Sequence, residues 1–75
     1  MTKSELGLIL KSMYENAPDG YQVANIHLFG VKYAEVIQER RYKVSDIIVA
    51  SGINRSYATE VSKGIKLSRY VVSKN

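Results

Sequence analysis

The first regular pattern of apolar positions lies in residues 3–16. Four apolar residues there follow the spacing i, i+3, i+4, i+7 that places side chains on one face of a helix: Leu6, Ile9, Leu10 and Met13. Pro18 follows, and Pro18, Asp19 and Gly20 suit a type I turn, because proline cannot continue a helix. The pattern predicts an amphipathic helix over residues 3–16 that ends at this turn.

A second periodic stretch covers residues 22–41 and is more apolar. Six of its residues share one helical face: Val23, Ile26, Gly30, Tyr33, Ala34 and Ile37. Four more widen that face and make this the most buried helix: Leu28, Phe29, Val31 and Val36. Gly30 costs about 1 kcal/mol relative to alanine inside a helix, so we expect another helix to approach closely there. Asn25 offers an alternative, later N-cap, and His27, which has no potential ligand partner nearby, is interpreted as structural.

Two short helices follow. Residues 44–51 allow about two turns and end before Gly52, a residue suited to a helix stop. Asn54 is a good N-cap for a second short helix over residues 55–63, which we expect Gly64 to end. The tail, residues 65–75, is compatible with a helix, a strand or a frayed arm.

Length and composition limit the alternatives. With 75 residues, the chain is expected to be a single all-α domain, residues 1–75, of four or five helices. It has no cysteine and one histidine, which argues against disulfides and a zinc site. No apolar run approaches the length of a membrane span, and residues 1–12 do not resemble a signal peptide, so a cytoplasmic location is expected. Catalytic and nucleotide-binding motifs are missing as well, and we expect neither enzymatic activity nor a cofactor.

The net charge of +4 is unevenly distributed. Residues 1–37 contain three Lys or Arg and four Asp or Glu, whereas residues 38–75 contain eight and three. A basic second half favours contact with a polyanion, although a role in solubility alone is also consistent with it.

Residues 44–63, VSDIIVASGINRSYATEVSK, combine two short helices with a glycine-containing turn, which is a helix-turn-helix arrangement. Ile47, Ile48, Ala58 and Val61 are expected to face inward, with Ile53 between the helices. The window SGINRSYATEVSKGIKLS resembles the helix-turn-helix of lambda-repressor/Cro-like bacterial and phage regulators. Two features depart from that family: Ile48 stands where alanine is usual, and the family core does not need the helix at 3–16. The segment IHLFGVKYA is more weakly similar to small uncharacterised bacterial proteins with a helix-turn-helix-like domain.

The resemblance implies a transcriptional regulator that binds double-stranded DNA and inserts its second short helix into the major groove. Base contacts would come from the start of that helix: Arg55, Ser56, Thr59 and, beside them, Tyr57. Arg55 is the foremost of these, since a guanidinium can donate two hydrogen bonds to guanine. Phosphate contacts would come from six residues: Ser45, Lys43, Lys63, Lys66, Arg40 and Arg41.

Other interpretations stay open at this point. Each proposed contact residue could be ordinary solvated surface, and Tyr57 could pack within the fold. A protein–protein adaptor with a basic helical face is the alternative function. Because a single small module makes few base contacts, a homodimer is possible, formed through residues 65–72 or through the helix at 3–16.

Overall fold

The computed structural model describes residues 1–74 and is all-helical, which confirms the predicted fold class. Four α-helices are present: α1 (Lys3–Glu15), α2 (Gln22–Glu39), α3 (Val44–Ser51) and α4 (Ala58–Leu67). A single 3₁₀ turn, Arg55–Tyr57, precedes α4, and residues 1–74 contain no strand. Asn75, the last residue of the predicted tail, lies outside the described residues.

Helix α1 begins with a reciprocal hydrogen-bonded cap. The Glu5 amide donates to Thr2 Oγ1 at 3.1 Å, and the Thr2 amide donates to Glu5 Oε1 at 2.8 Å. These two bonds satisfy amides that a helix start otherwise leaves unpaired. They also lower the pKa of Glu5, since the bonds to Thr2 favour its ionised form. The helix ends at Glu15, one residue before the predicted boundary.

Helix α2 ends two residues earlier than predicted, because the chain turns back at Arg41. The Arg41 amide donates to Gln38 O at 3.2 Å and the Tyr42 amide to Ile37 O at 3.1 Å. These two bonds form a Schellman closure, whose central residue adopts a left-handed conformation. Arg41 has φ of 55°, a conformation that costs a residue with a Cβ more than it costs glycine.

The alternative start of α2 at Asn25 is wrong. The helix begins at Gln22 with Tyr21 as its N-cap. The Asn25 side-chain amide is used elsewhere, since Nδ2 donates to Met13 O at 2.8 Å and ties α2 to the last turn of α1. The Met13 carbonyl, in the last turn of α1, therefore gains a hydrogen-bond donor from a neighbouring helix.

All four helices contribute to the core. Its fully or nearly fully buried residues are Leu6, Leu10, Ile26, Phe29, Ile37, Ile47, Ile48 and Val61. Ile53 and Ala58 pack partly buried against it, as predicted. Two residues assigned to the buried stripe of α2 instead face outward: Val23 is 40% exposed and Leu28 is 43% exposed.

Helices α2 and α4 cross with their backbones in direct contact. A Cβ on Gly30 would lie 2.6 Å from Val61 O and 2.8 Å from the Gly64 Cα, which confirms the predicted close approach. A Cβ on Gly64 would in turn meet the carbonyl oxygen of His27. The prediction that Gly64 ends its helix is therefore wrong: α4 continues to Leu67, and Gly64 serves the crossing rather than a stop.

Helices α1 and α3 run alongside each other in the same direction. Two contacts mark this register: Lys3 with Asp46 and Gly7 with Ala50. Beyond α3, Tyr14 contacts Tyr57 of the 3₁₀ turn. A Cβ on Gly7 would lie 2.6 Å from the Ala50 Cβ. The N-terminal helix thus supports the first helix of the helix-turn-helix along its length.

The tail is neither a separate helix nor a strand in its described part. Its first residues complete α4, residues 68–70 form a turn, and residues 71–74 have no regular secondary structure. They lie beside α2 and leave a cleft of about 370 Å³ between Val31 and Val72.

Candidate nucleic-acid interface

The turn between α3 and the 3₁₀ segment is fixed by backbone conformation and by one buried hydroxyl. Gly52 adopts φ of 76°, the left-handed conformation that glycine tolerates best. Ser51, 2% exposed, donates from Oγ to Ile48 O and accepts from the Ile53 amide at 3.2 Å. Ser51 was not among the predicted site residues, although its position directly before the turn glycine is a signal that could have identified it.

The second short helix begins differently from the prediction of one α-helix over residues 55–63. The Asn54 side chain accepts from the Ser56 amide at 2.9 Å, which confirms Asn54 as the N-cap. The chain then makes a 3₁₀ turn at Arg55–Tyr57 before α4 starts at Ala58. Such turns are common at helix starts, where amides lack partners four residues back. Arg55 and Ser56 are exposed on this turn.

A cleft of about 280 Å³ opens where α3 meets the 3₁₀ turn. It is lined by Ser45, Asp46, Ile48, Val49, Arg55 and Ala58. The Arg55 guanidinium makes no hydrogen bond or ion pair with another of residues 1–74, so its five donors are available to a partner. The cleft thus brings together the predicted base-contact residue Arg55 and the predicted phosphate-contact residue Ser45.

Asp46 is a residue of this cleft that the sequence analysis did not include. Its carboxylate lies 3.4 Å from the Lys3 ammonium, with both side chains about half exposed. A carboxylate at this position would oppose a polyanion, and Lys3 offsets its charge. No local sequence pattern predicts the ion pair between Lys3 and Asp46, because the two residues lie 43 positions apart.

Thr59 and Tyr57 take different positions. Thr59 is exposed on the first turn of α4, beside Ser56. Tyr57 is half-buried against α1, with its ring centroid 5.2 Å from that of Tyr14 and the two hydroxyls 3.3 Å apart. This hydrogen bond raises the pKa of Tyr14. The ring and hydroxyl of Tyr57 are therefore engaged within the fold.

Glu60, on α4, links two neighbouring basic groups. Its carboxylate accepts a hydrogen bond from His27 Nε2 at 2.8 Å and lies 3.4 Å from the Lys63 ammonium. The His27 bond, followed by the contact with Lys63, lowers the pKa of Glu60. His27 thereby connects α2 to α4, in line with its structural interpretation, and Lys63 is partly neutralised.

The other predicted phosphate contacts lie on exposed segments. Arg40, Arg41, Lys43 and Lys66 are all exposed, and none of them pairs with another residue between 1 and 74. Arg41 and Lys66 line one cleft of about 440 Å³, together with Val44 at the start of α3. Lys43, the N-cap of α3, makes no side-chain capping bond. Arg40 and Lys43 flank Arg41 in the chain, so cations accumulate around the start of α3.

Residues 1–74 hold no group of three or more potential metal ligands. None of the helices described is both long and apolar enough to span a bilayer.

The comparison with protein families gives one match. The profile of a family described as an HTH-like domain matches residues 2–74. No curated protein and no solved structure matches the chain. The match supports a domain of the helix-turn-helix type, and the narrower lambda-repressor/Cro-like class stays a prediction.

Proposed function

Because the chain belongs to the HTH-like domain family, we propose that it binds double-stranded DNA and regulates transcription. The 3₁₀ turn and the first turn of α4 enter the major groove in this proposal. The observation that carries it is the exposed, unpaired guanidinium of Arg55 in the cleft between α3 and the 3₁₀ turn.

Arg55 is proposed as the principal base-reading residue. A guanidinium donates two parallel hydrogen bonds to guanine O6 and N7, and such a pair discriminates by about 1–3 kcal/mol against another base. Ser56 and Thr59 are exposed beside it and can contact bases or phosphates. Tyr57 is left out of the proposed base-reading set, since its hydroxyl already pairs with Tyr14.

Phosphate contacts are proposed at the start of α3 and along the cleft beside it. Ser45 lies exposed in the first turn of α3, where unpaired amides favour an anion. Arg41 and Lys66 share the neighbouring cleft, and Arg40 and Lys43 lie within two residues of Arg41 in the chain. Lys63 is expected to contribute less than these, because Glu60 lies 3.4 Å from its ammonium.

The test is fluorescence-anisotropy binding to mixed-sequence duplex DNA over a salt series, followed by selection of a preferred site. We expect affinity to fall linearly with salt on logarithmic axes, because bound cations release counterions from DNA. Arg55→Ala should lose preference for the selected site by about 1–3 kcal/mol and retain indiscriminate binding. Arg69→Ala is the matched control, since it removes the same charge from an exposed residue beyond α4.

The phosphate contacts are tested separately with Lys66→Ala. This variant should weaken binding to all sequences about equally and reduce the salt slope by about 1. A folded protein that does not bind duplex DNA at low salt would refute the proposal. Its basic surface would then point to an acidic protein partner, the adaptor alternative.

A further inference from the structure

Exposed apolar side chains lie on α2 and on the tail, away from the cleft that contains Arg55. Leu28 on α2 is 43% exposed, and in the tail Val71 and Val72 are 48% and 87% exposed. Isolated exposed apolar residues are ordinary, but a contiguous group at one place marks an interaction surface. We call this group, with the α2 residues that border it, the outer patch: Leu28, Val31, Lys32, Glu35, Val71 and Val72.

The outer patch also carries one charge of each sign. Lys32 and Glu35 are exposed on α2 and lie three positions apart, so they are neighbours on the same helix face. Neither forms an ion pair with another of residues 1–74, although the Lys32 ammonium lies 5.7 Å from the Tyr33 ring centroid. The face therefore presents an unpaired cation and an unpaired anion one helical turn apart.

A surface with this charge pattern is complementary to itself. In a two-fold interface each contact occurs twice, because the same patch is used by both subunits. A two-fold axis that passes between Lys32 and Glu35 makes the two α2 helices antiparallel. It places Lys32 of each copy opposite Glu35 of the other copy. We propose that the outer patch binds a second copy of this chain in this arrangement and forms a symmetric homodimer.

The tail leaves room for that contact. It covers α2 incompletely, since a cleft of about 370 Å³ separates the two segments. Side chains such as Val72, which projects into solvent, can pack against the aliphatic residues of the facing copy. A typical stable interface takes about 800 Å² from each partner, roughly one sixth of the 5125 Å² that this chain exposes.

Such a dimer leaves the proposed base-reading turn accessible. Arg55 precedes α4, whereas the tail follows its other end, so the base-reading turn and the tail lie at opposite ends of that helix. The clefts that contain Arg55 and Val72 share no lining residue. Dimer formation does not depend on DNA binding and is measured without DNA.

The experiment is sedimentation equilibrium of the full chain over a wide concentration range, at about 0.15 M salt to screen the positive net charge. We expect a mass that rises from 8.4 kDa toward twice that value. Val72→Asp should raise the dimer dissociation constant at least about tenfold. Because Val72 is 87% exposed, this change should leave the monomer folded, as circular dichroism would verify.

Charge reversal tests the proposed pairing directly. Lys32→Glu and Glu35→Lys should each weaken the dimer about threefold or more by placing like charges opposite each other, and the double variant should restore it. Leu8→Asp is the matched control: Leu8 is 64% exposed on α1, the other candidate dimer surface, and should have no effect.

Three results would overturn the proposal. The first is a single-chain mass at all concentrations up to about 1 mM. The second is a dimer that Leu8→Asp disrupts and Val72→Asp does not. The third is a dimer in which the double charge reversal fails to restore what each single reversal weakens.

Discussion

The domain contains two close helix contacts that are formed in different ways. Where α2 crosses α4, Gly30 and Gly64 bring one backbone directly against the other. Where α1 lies along α3, the single glycine Gly7 faces the side chain of Ala50 as well as its backbone. The first contact has no side chain that could move, whereas the second includes a methyl group that can be removed.

This difference indicates how each contact tolerates change. Protein interiors are close-packed, and an added methyl group must displace whatever it meets. A backbone carbonyl belongs to a hydrogen-bonded helix and shifts only if the whole helix shifts. We therefore expect the α2–α4 contact to be the less tolerant of the two.

The largest effect is expected for Gly64→Ala. Its new Cβ would meet the His27 carbonyl and lie 3.0 Å from the Gly30 Cα. We expect a loss of about 3 kcal/mol in the free energy of unfolding, despite a gain of about 1 kcal/mol in helix propensity. Urea denaturation would measure it.

Gly52→Ala serves as the control for this substitution. Gly52 has a positive φ and nothing within 4 Å of an added Cβ. Its alanine variant should lose about 1–2 kcal/mol from backbone strain alone. If Gly64→Ala lowers the free energy of unfolding no more than Gly52→Ala does, the backbone contact between α2 and α4 is not what requires glycine at position 64.

A smaller effect is expected for Gly7→Ala, about 1–2 kcal/mol. The added Cβ would lie 2.6 Å from the Ala50 Cβ, and 2.8 Å from the Ala50 carbonyl carbon. A second substitution, Ala50→Gly, removes the nearest atom and should recover part of the loss in a double-mutant cycle. If the cycle gives no coupling energy between positions 7 and 50, the Ala50 methyl group is not what excludes a side chain at Gly7.

A pair of polar side chains lies beside each helix contact: Tyr14 with Tyr57 at α1, and His27 with Glu60 between α2 and α4. At α1, Tyr14→Phe removes the hydroxyl that lies 3.3 Å from the hydroxyl of Tyr57 and leaves the ring contact in place. We expect a loss of about 0.5–1 kcal/mol by thermal denaturation. Tyr70→Phe, at an 81% exposed tyrosine, should change stability far less.

The pair beside the α2–α4 contact should respond to acid. Because His27 and Lys63 lower the pKa of Glu60 in the folded protein, its stabilising effect is present above the ordinary carboxyl value of 4.5. It is lost as the pH falls below 4.5 through the lower folded value. Glu60→Gln should reduce the acid dependence of the melting temperature in this range.

Glu39→Gln is the control for Glu60→Gln, since Glu39 is exposed and its carboxylate has no partner among residues 1–74. It should leave the acid dependence nearly unchanged. If both variants change the acid dependence of the melting temperature equally, the change comes from the loss of any one carboxylate and not from the pair of Glu60 with His27.

Local signals in the sequence predicted the elements well. The apolar spacing of α1, the stop at Gly52 and the cap at Asn54 each depend on residues within about two helical turns. Such features need no knowledge of the rest of the chain. The close approach at Gly30 was also predicted, because a glycine inside an apolar helix has a cost that packing must offset.

Gly64 and Asp46 show what the sequence could not supply. As a local signal, Gly64 favours a helix stop, and only the position of α2 makes it a packing residue inside α4. Asp46 lines the candidate cleft from α3, but its charge is offset by Lys3 of α1, which lies far away in the chain. Tertiary contacts of this kind override local preference and leave no short-range pattern.

The constant register between α1 and α3 has a consequence for how the chain folds. Lys3 and Asp46, and likewise Tyr14 and Tyr57, are 43 residues apart, so docking α1 closes a long loop. Contacts of such separation slow folding, because loop entropy is lost before they form. During synthesis α1 emerges before α2, α3 and α4, yet the surface that covers Leu6 and Leu10 is complete only after those helices have followed. Helix α1 is thus made before the other three and is among the last of them to reach its native packing.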